Sequence, residues 1–308
     1  MKPFLVLQRI RARRAIAIAS FALSALVLHG LNPAYAQLDP PEEIIFIDKA
    51  AFMGSVKLET TIYKPPGTGP FPLVIINHGK QLGDPHLQKR FEPLSAALYF
   101  LERGYVVFVP MRHGFSKSGG EYQFHGNSAE MAGRDQVRDI DVTIQYAHTL
   151  PYVKKDITLV VGYSEGGWIT LAYGASQPDS SVRGIVNFSG GVRDPCCIGL
   201  LEEMIDASKK FGLQTTVASI WFYGDNDSLF NRYVSDKMFA NYARGNPNSR
   251  FIPYGHFSTD AHALFIDPNG RALWEPFLTQ FLHDVQVPYK AINPPYKLNI
   301  QKNSDTRP

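Results

Sequence analysis

The chain has 308 residues, 44% hydrophobic and 19% charged, with 31 Lys and Arg against 28 Asp and Glu, and only two cysteines. Length and apolar content suit one large or two medium globular domains and exclude a disulfide-stapled miniprotein, a low-complexity chain and a polytopic membrane protein. The net charge of +3 is carried by one terminal segment.

Lys2, Arg9, Arg11, Arg13 and Arg14 precede an uncharged apolar run from Ala15 to Leu28, and Ala34-Tyr35-Ala36 follows. A basic start, an apolar stretch and small residues at an A-x-A site read as a secretory signal. The run is too short to span a bilayer, which takes about 20 apolar residues, so no stable membrane anchor is expected. No Cys follows the site, and the residues after Arg13-Arg14 fit a twin-arginine signal poorly. Residues 1–36 are therefore expected to be cleaved near Ala36, leaving an exported, periplasmic or extracellular chain. They hold five of the basic and none of the acidic residues, so the balance without them is −2 over 272 residues. Nothing in that balance suggests a nucleic-acid or anionic-membrane partner. Cys196 and Cys197 are adjacent and cannot staple distant parts of a fold; two partly buried thiols are expected rather than a strained vicinal disulfide.

Residues 37–49 read as a lead-in. Val56, Leu58, Thr60 and Ile62 then alternate with Lys57, Glu59, Thr61 and Tyr63, the pattern of a strand with one wet face. Pro65-Pro66-Gly67 and Gly69-Pro70 break the chain. Leu73–Ile76, Tyr105–Val109, Ile157–Val161, Gly184–Phe188 and Ser219–Tyr223 are short β-branched or aromatic runs, as expected of strands buried on both faces of a parallel sheet. Between them, Phe91, Leu94, Leu98 and Leu101, and then Val137, Ile140, Ile144 and Ala147, repeat at helical spacing. Trp274, Phe277, Phe281 and Val285 give a last helix an apolar stripe. The sum is one α/β domain over 50–285 with a mostly parallel sheet and an antiparallel start, followed by a loose tail over 286–308.

One stretch carries chemistry. Ile157–Val161 runs into Gly162-Tyr163-Ser164-Glu165-Gly166-Gly167 and then into Trp168-Ile169-Thr170-Leu171-Ala172, a strand, a GxSxG turn and a helix. That context puts a serine hydroxyl on a strained, exposed turn and aims a helix N-terminus at the site. A serine needs a histidine base and an acid that orients it, following in the order Ser, Asp, His. Asp227, in the loop after Ser219–Phe222, is preferred over Asp225, which is placed to cap the turn. His262 is preferred over His256 because its loop is long enough to reach back over the serine, although spacing alone does not decide between them. The backbone N–H groups of Glu165 and Lys80 are the expected oxyanion donors, with His78 as a hydrogen-bonded structural residue. Arg112 and Tyr163 are candidate substrate contacts, Arg112 having a structural ion pair as its alternative use.

These residues resemble a known family. Asn77-His78-Gly79-Lys80, Arg103-Gly104-Tyr105, Pro110-Met111-Arg112-His113-Gly114, Gly162–Gly167, Asn187-Phe188-Ser189-Gly190-Gly191 and Tyr223–Ser228 occur in the order found in secreted bacterial serine hydrolases of the α/β-hydrolase superfamily. The branch is the dienelactone-hydrolase-like one, related to acetyl xylan esterases and prolyl-oligopeptidase catalytic domains. The resemblance spans about residues 50–285. It implies an α/β-hydrolase fold with Ser164 as nucleophile, Asp227 as acid and His262 as base, since Asp260-Ala261-His262 matches the family's closing Asp-Gly-His with one change. True dienelactone hydrolases use cysteine, so their lactone substrate is not carried over.

The expected activity is hydrolysis of carboxylic esters through an acyl-enzyme, with a small-molecule substrate and no cofactor or metal. The alternatives are a peptidase or amidase with the same triad, and a catalytically silent binding protein on the same fold. Whether residues 189–218 form a lid or a surface connection stays open.

Overall fold

The computed structural model describes residues 40–52, 54–123, 125–126, 128–193 and 199–296. The expected signal segment, Cys196-Cys197 and the end of the tail lie outside the described residues.

Eight strands form one sheet: β1 (Glu42–Ala50), β2 (Ser55–Tyr63), β3 (Phe71–Asn77), β4 (Val106–Pro110), β5 (Val153–Tyr163), β6 (Val182–Phe188), β7 (Ser219–Tyr223) and β8 (Ser249–Pro253). Their order is β1-β2-β4-β3-β5-β6-β7-β8. β1 and β2 pair antiparallel, as do β2 and β4, and every pair from β4 to β8 is parallel. Parallel neighbours need crossovers, which helices supply: α1 (Leu94–Glu102), α2 (Ala129–Asp135), α3 (Val137–Ala147), α4 (Glu165–Gly174), α5 (Leu200–Gln214), α6 (Arg232–Ala243) and α7 (Arg271–Asp284).

Because side chains alternate along a strand, the apolar runs supply two cores at once. Leu73, Ile75, Val106, Phe108 and Val160 pack with Ile140, Trp168, Met204, Phe211 and Met238 from α3, α4, α5 and α6. Val74, Ile76, Val107, Val109, Leu159 and Val161 pack on the other face with Leu98, Leu101, Trp274, Leu278 and Phe281 from α1 and α7. α5, in the segment left open as a lid, buries Leu200, Met204, Ala207 and Phe211. It is a core crossover helix.

Several expectations change. The lead-in contains β1, an edge strand. β2 has no wet face over its second half: Glu59 and Thr61 are buried, Glu59 accepting the Lys117 N–H at 3.2 Å and Thr61 accepting Arg90 Nη1 at 2.7 Å. Polar side chains there have partners from covering loops, which alternation does not report. On α7 Phe277 points out at 46% exposure, and Leu278 and Leu282 join Trp274 and Phe281 in the core. The start of the tail is tied down: Ile292 and Asn293 donate backbone N–H groups to Glu102 O, and Arg103 Nε donates to Tyr289 O. Among the described residues no helix is long and apolar enough to cross a membrane.

Candidate active site

β5 delivers Ser164 at the carboxyl edge of the sheet, and α4 starts one residue later. Ser164 has φ 56° and ψ −127°, a left-handed conformation that costs a non-glycine residue energy and persists only when its surroundings impose it. They do so here. Ser164 N–H donates to Phe188 O at 3.0 Å, and its carbonyl accepts Gly191 N–H at 3.2 Å and Trp168 N–H at 3.1 Å. The turn also needs close backbone approach: a Cβ on Gly166 would lie 2.4 Å from both Asn77 O and His78 O, and one on Gly79 would lie 2.9 Å from Ser164 Cβ.

Two loops bring the partners. Ser164 Oγ lies 3.0 Å from His262 Nε2, and His262 Nδ1 lies 3.1 Å from Asp227 Oδ2. Asp227 is buried, and its other oxygen accepts the N–H groups of Leu229 and Phe230, both at 2.9 Å. A carboxylate on Nδ1 sets the tautomer with the proton there, leaving Nε2 to accept from the serine. The loops that carry Asp227 and His262 are laced together. Asp225 N–H donates to Gly255 O at 2.8 Å, Asn226 Oδ1 accepts Phe257 N–H at 3.0 Å, and Asp260 takes Ser228 Oγ at 2.6 Å and His262 N–H at 2.9 Å. The rival residues stand apart from this line: Asp225 pairs with Arg232 at 2.7 Å, and the His256 side chain is 77% exposed beside Asp225.

A cavity of about 250 Å³ opens beside Ser164, lined by Lys80, Leu82, Glu165, Arg193, Leu229 and Phe230 among others. Both expected oxyanion donors thus border it. A larger, open cleft of about 920 Å³ lies at the other end of the strands, beside Val182, Ala218 and Ser249, and contains none of these residues.

The candidate substrate contacts are placed otherwise. Arg112 is fully buried; its guanidinium donates to Glu165 Oε2 at 3.2 Å, to His78 O and to Gln136 Oε1. Its Nε, Nη1 and Nη2 each donate to a group inside the protein, which fits the structural ion pair, and Arg112 does not line the cavity. Tyr163 does not line the cavity. It packs against His262, with ring centroids 5.3 Å from His262 and 5.7 Å from Phe265. His78 is fully buried, as expected of a structural residue. The Glu165 side chain is also engaged, since Tyr122 OH donates to it at 2.8 Å. The sequence reading assigned no role to Tyr122, Gln136 or Gln88; they sit on loops or at helix ends, where periodicity carries no signal.

The loop after β4, which carries Arg112 and Tyr122, is pinned by a buried charge cluster. His113 donates its backbone N–H to Asp139 Oδ2 at 2.8 Å; its Nδ1 lies 2.8 Å from the same oxygen and 2.9 Å from Lys49 Nζ, and its Nε2 lies 3.4 Å from Asp135. Lys49 of β1 reaches Asp139 Oδ1 at 2.5 Å, and His125 lies 3.7 Å from Asp135. Burial disfavours the charged imidazole, but the hydrogen bonds to Asp135 and Asp139 outweigh it and raise the His113 pKa to about 9. A pKa raised by folding contributes stability that is complete below about 6.5 and is lost as pH rises through 9. The melting temperature is expected to fall between pH 7 and pH 10, and the fall to be shallower in His113→Gln. Parallel curves for the two proteins would remove His113 as the cause.

Known proteins share parts of this sequence and its fold. Residues 92–184, from just before α1 into β6 and including the Ser164 turn, match the prolyl oligopeptidase family. An esterase from Pyrococcus furiosus superposes with a TM-score of 0.59 at 14% identity, covering 80% of this chain and 92% of its own. This chain has the α/β-hydrolase fold. Another α/β-hydrolase structure, the Pyrococcus horikoshii acylaminoacyl peptidase, gives a TM-score of 0.59 at 14% identity over 86% of this chain and 44% of that larger one. In sequence, the chain is 28% identical over 169 residues to a Synechocystis protein bearing the provisional name carboxymethylenebutenolidase; the match spans 50% of this chain and 65% of the length of that relative. The resemblance to dienelactone-hydrolase-like and prolyl-oligopeptidase-like α/β-hydrolases therefore holds.

Proposed function

We propose that the chain is a serine hydrolase that cleaves carboxylic esters through an acyl-enzyme. The observation that carries this reading is the line Ser164 Oγ, His262 Nε2, His262 Nδ1, Asp227 Oδ2, with steps of 3.0 and 3.1 Å, at the edge of a cavity. In this reading His262 takes the Ser164 proton as the serine oxygen attacks the ester carbonyl. Asp227 holds the imidazole in place and stabilises its charged form. The N–H groups of Lys80 and Glu165, the second at the N-terminus of α4, take up the charge on the carbonyl oxygen. His262 then returns the proton to the leaving alcohol, and a water molecule repeats the sequence on the acyl-serine. The ester preference leans on the motif resemblance to dienelactone-hydrolase-like esterases, and residues 1–36 support a place outside the cytoplasm. The prolyl oligopeptidase match over 92–184 keeps a peptidase or amidase as the second reading.

A fluorophosphonate probe should add to Ser164 in the folded protein, and the Ser164→Ala variant should stay unlabelled by mass spectrometry. A folded wild type that does not label would overturn the reading. Matched p-nitrophenyl esters and p-nitroanilides then separate esterase from amidase.

A further inference from the structure

An oxyanion donor works only if its peptide already points the right way. The Lys80 N–H belongs to the Gly79–Lys80 peptide, and Gly79, lacking a side chain, does little to restrain it. A peptide unit is planar and trans, so fixing its carbonyl fixes the N–H on the opposite side.

Gln88 does this from a distance. It directly follows a single 3-10 turn over Pro85–Leu87 and is 8% exposed. Its carboxamide straddles Lys80: Nε2 donates to Gly79 O at 3.0 Å, and Oε1 accepts Gln81 N–H at 2.9 Å. The carbonyl before Lys80 and the N–H after it are thereby both satisfied. The N–H of Lys80 itself is paired with no acceptor among the described residues, and Lys80 borders the cavity that holds Ser164.

His78 adds a second donor to the same carbonyl. Its Nε2 accepts Arg112 N–H at 3.0 Å, which puts the ring proton on Nδ1, 2.7 Å from Gly79 O. Burial, and then the Arg112 charge, hold its pKa well below the usual histidine range, so the ring stays neutral in this tautomer. Two donors on one carbonyl polarise the peptide and make the opposite N–H a stronger donor.

We propose that Gln88, assisted by His78, is a positioning residue that presets the Lys80 N–H toward the oxyanion before substrate arrives. This rests on the serine-hydrolase reading and adds to it a residue outside every motif of the chain.

The test compares Gln88→Leu, which removes both hydrogen bonds at similar volume, with Gln88→Glu, which keeps the acceptor for Gln81 N–H and loses the donor to Gly79 O. For each, kcat and KM are measured on a p-nitrophenyl ester, along with inhibition by phenylboronic acid, whose serine adduct mimics the tetrahedral intermediate, and the melting temperature. Deleting an oxyanion donor costs about 10²–10³ in kcat; misaiming one should cost about ten- to a hundredfold, with KM little changed and boronate inhibition weakened in proportion. Gln88→Glu should show the same loss with a melting temperature near wild type, and it decides the matter if Gln88→Leu does not fold. Wild-type kcat and boronate affinity in the folded variants, whatever their melting temperature, would overturn the role. Ester turnover surviving in Ser164→Ala would overturn the hydrolase reading beneath it.

Discussion

Ser164→Ala and His262→Ala are each expected to lower ester turnover by about 10⁴–10⁶-fold, because triad members act as a unit and either loss leaves only binding and oxyanion contacts. Asp227→Asn should cost about 10⁴-fold. An amide can donate to Nδ1 and reverse the tautomer while keeping its place against the Leu229 and Phe230 N–H groups. His256→Ala should leave turnover unchanged, since that side chain is exposed and stands beside Asp225, not Ser164. Steady-state rates on one activated ester suffice for all four. Full activity in His262→Ala, or its loss in His256→Ala, would reverse the assignment of the base.

The second large effect concerns packing. In Gly166→Ala the new methyl meets the carbonyl oxygens of Asn77 and His78 at 2.4 Å. Neither neighbour has room to retreat: Asn77 ends β3 between β4 and β5, and its Nδ2 is bonded to Thr170 at 3.0 Å. Overpacking of this kind costs about 3 kcal/mol, which at this chain length lowers the melting temperature by about 6–12 °C. The shift pushes on the loop that carries Lys80, so kcat should fall in the protein that does fold. A thermal melt within about 2 °C of wild type would show that the turn accommodates a side chain after all.

How much of this was legible in the sequence depended on how each residue is held. β3 to β7 read cleanly because their runs are buried on both faces, and continuous apolarity is the signal of that burial. β1 did not, because Ile44 and Phe46 of its apolar run are 47% and 44% exposed and charged residues flank them. Phe277 was misplaced by one helical position, since Leu278 beside it is equally apolar. In the site, the order Ser, Asp, His narrowed the candidates to Ser164, to Asp225 or Asp227 and to His256 or His262, but spacing did not choose between the two histidines; it is the folded loops that bring His262 Nε2 to 3.0 Å from Ser164 Oγ and leave His256 exposed. Arg112 could be located but not interpreted: ending a strand says nothing of whether the guanidinium turns outward or, as here, inward to Glu165 and His78. Gln88 was invisible, because its role depends on a side chain folding back onto residues seven and nine positions earlier.

The lacing between the acid and base loops has a mechanical consequence. Asp227 and His262 are carried by segments joined through Asn226, Ser228 and Asp260, so they should move together. Ser164 is fastened instead to β6 through Phe188 and to the loop at Gly191. Slow breathing of the sheet edge would leave the acid–base distance nearly fixed and stretch chiefly the contact between Ser164 and His262. That contact, with no second hydrogen bond between Ser164 and the His262 loop beside it among the described residues, is where temperature, denaturant or a bulky substrate should act first.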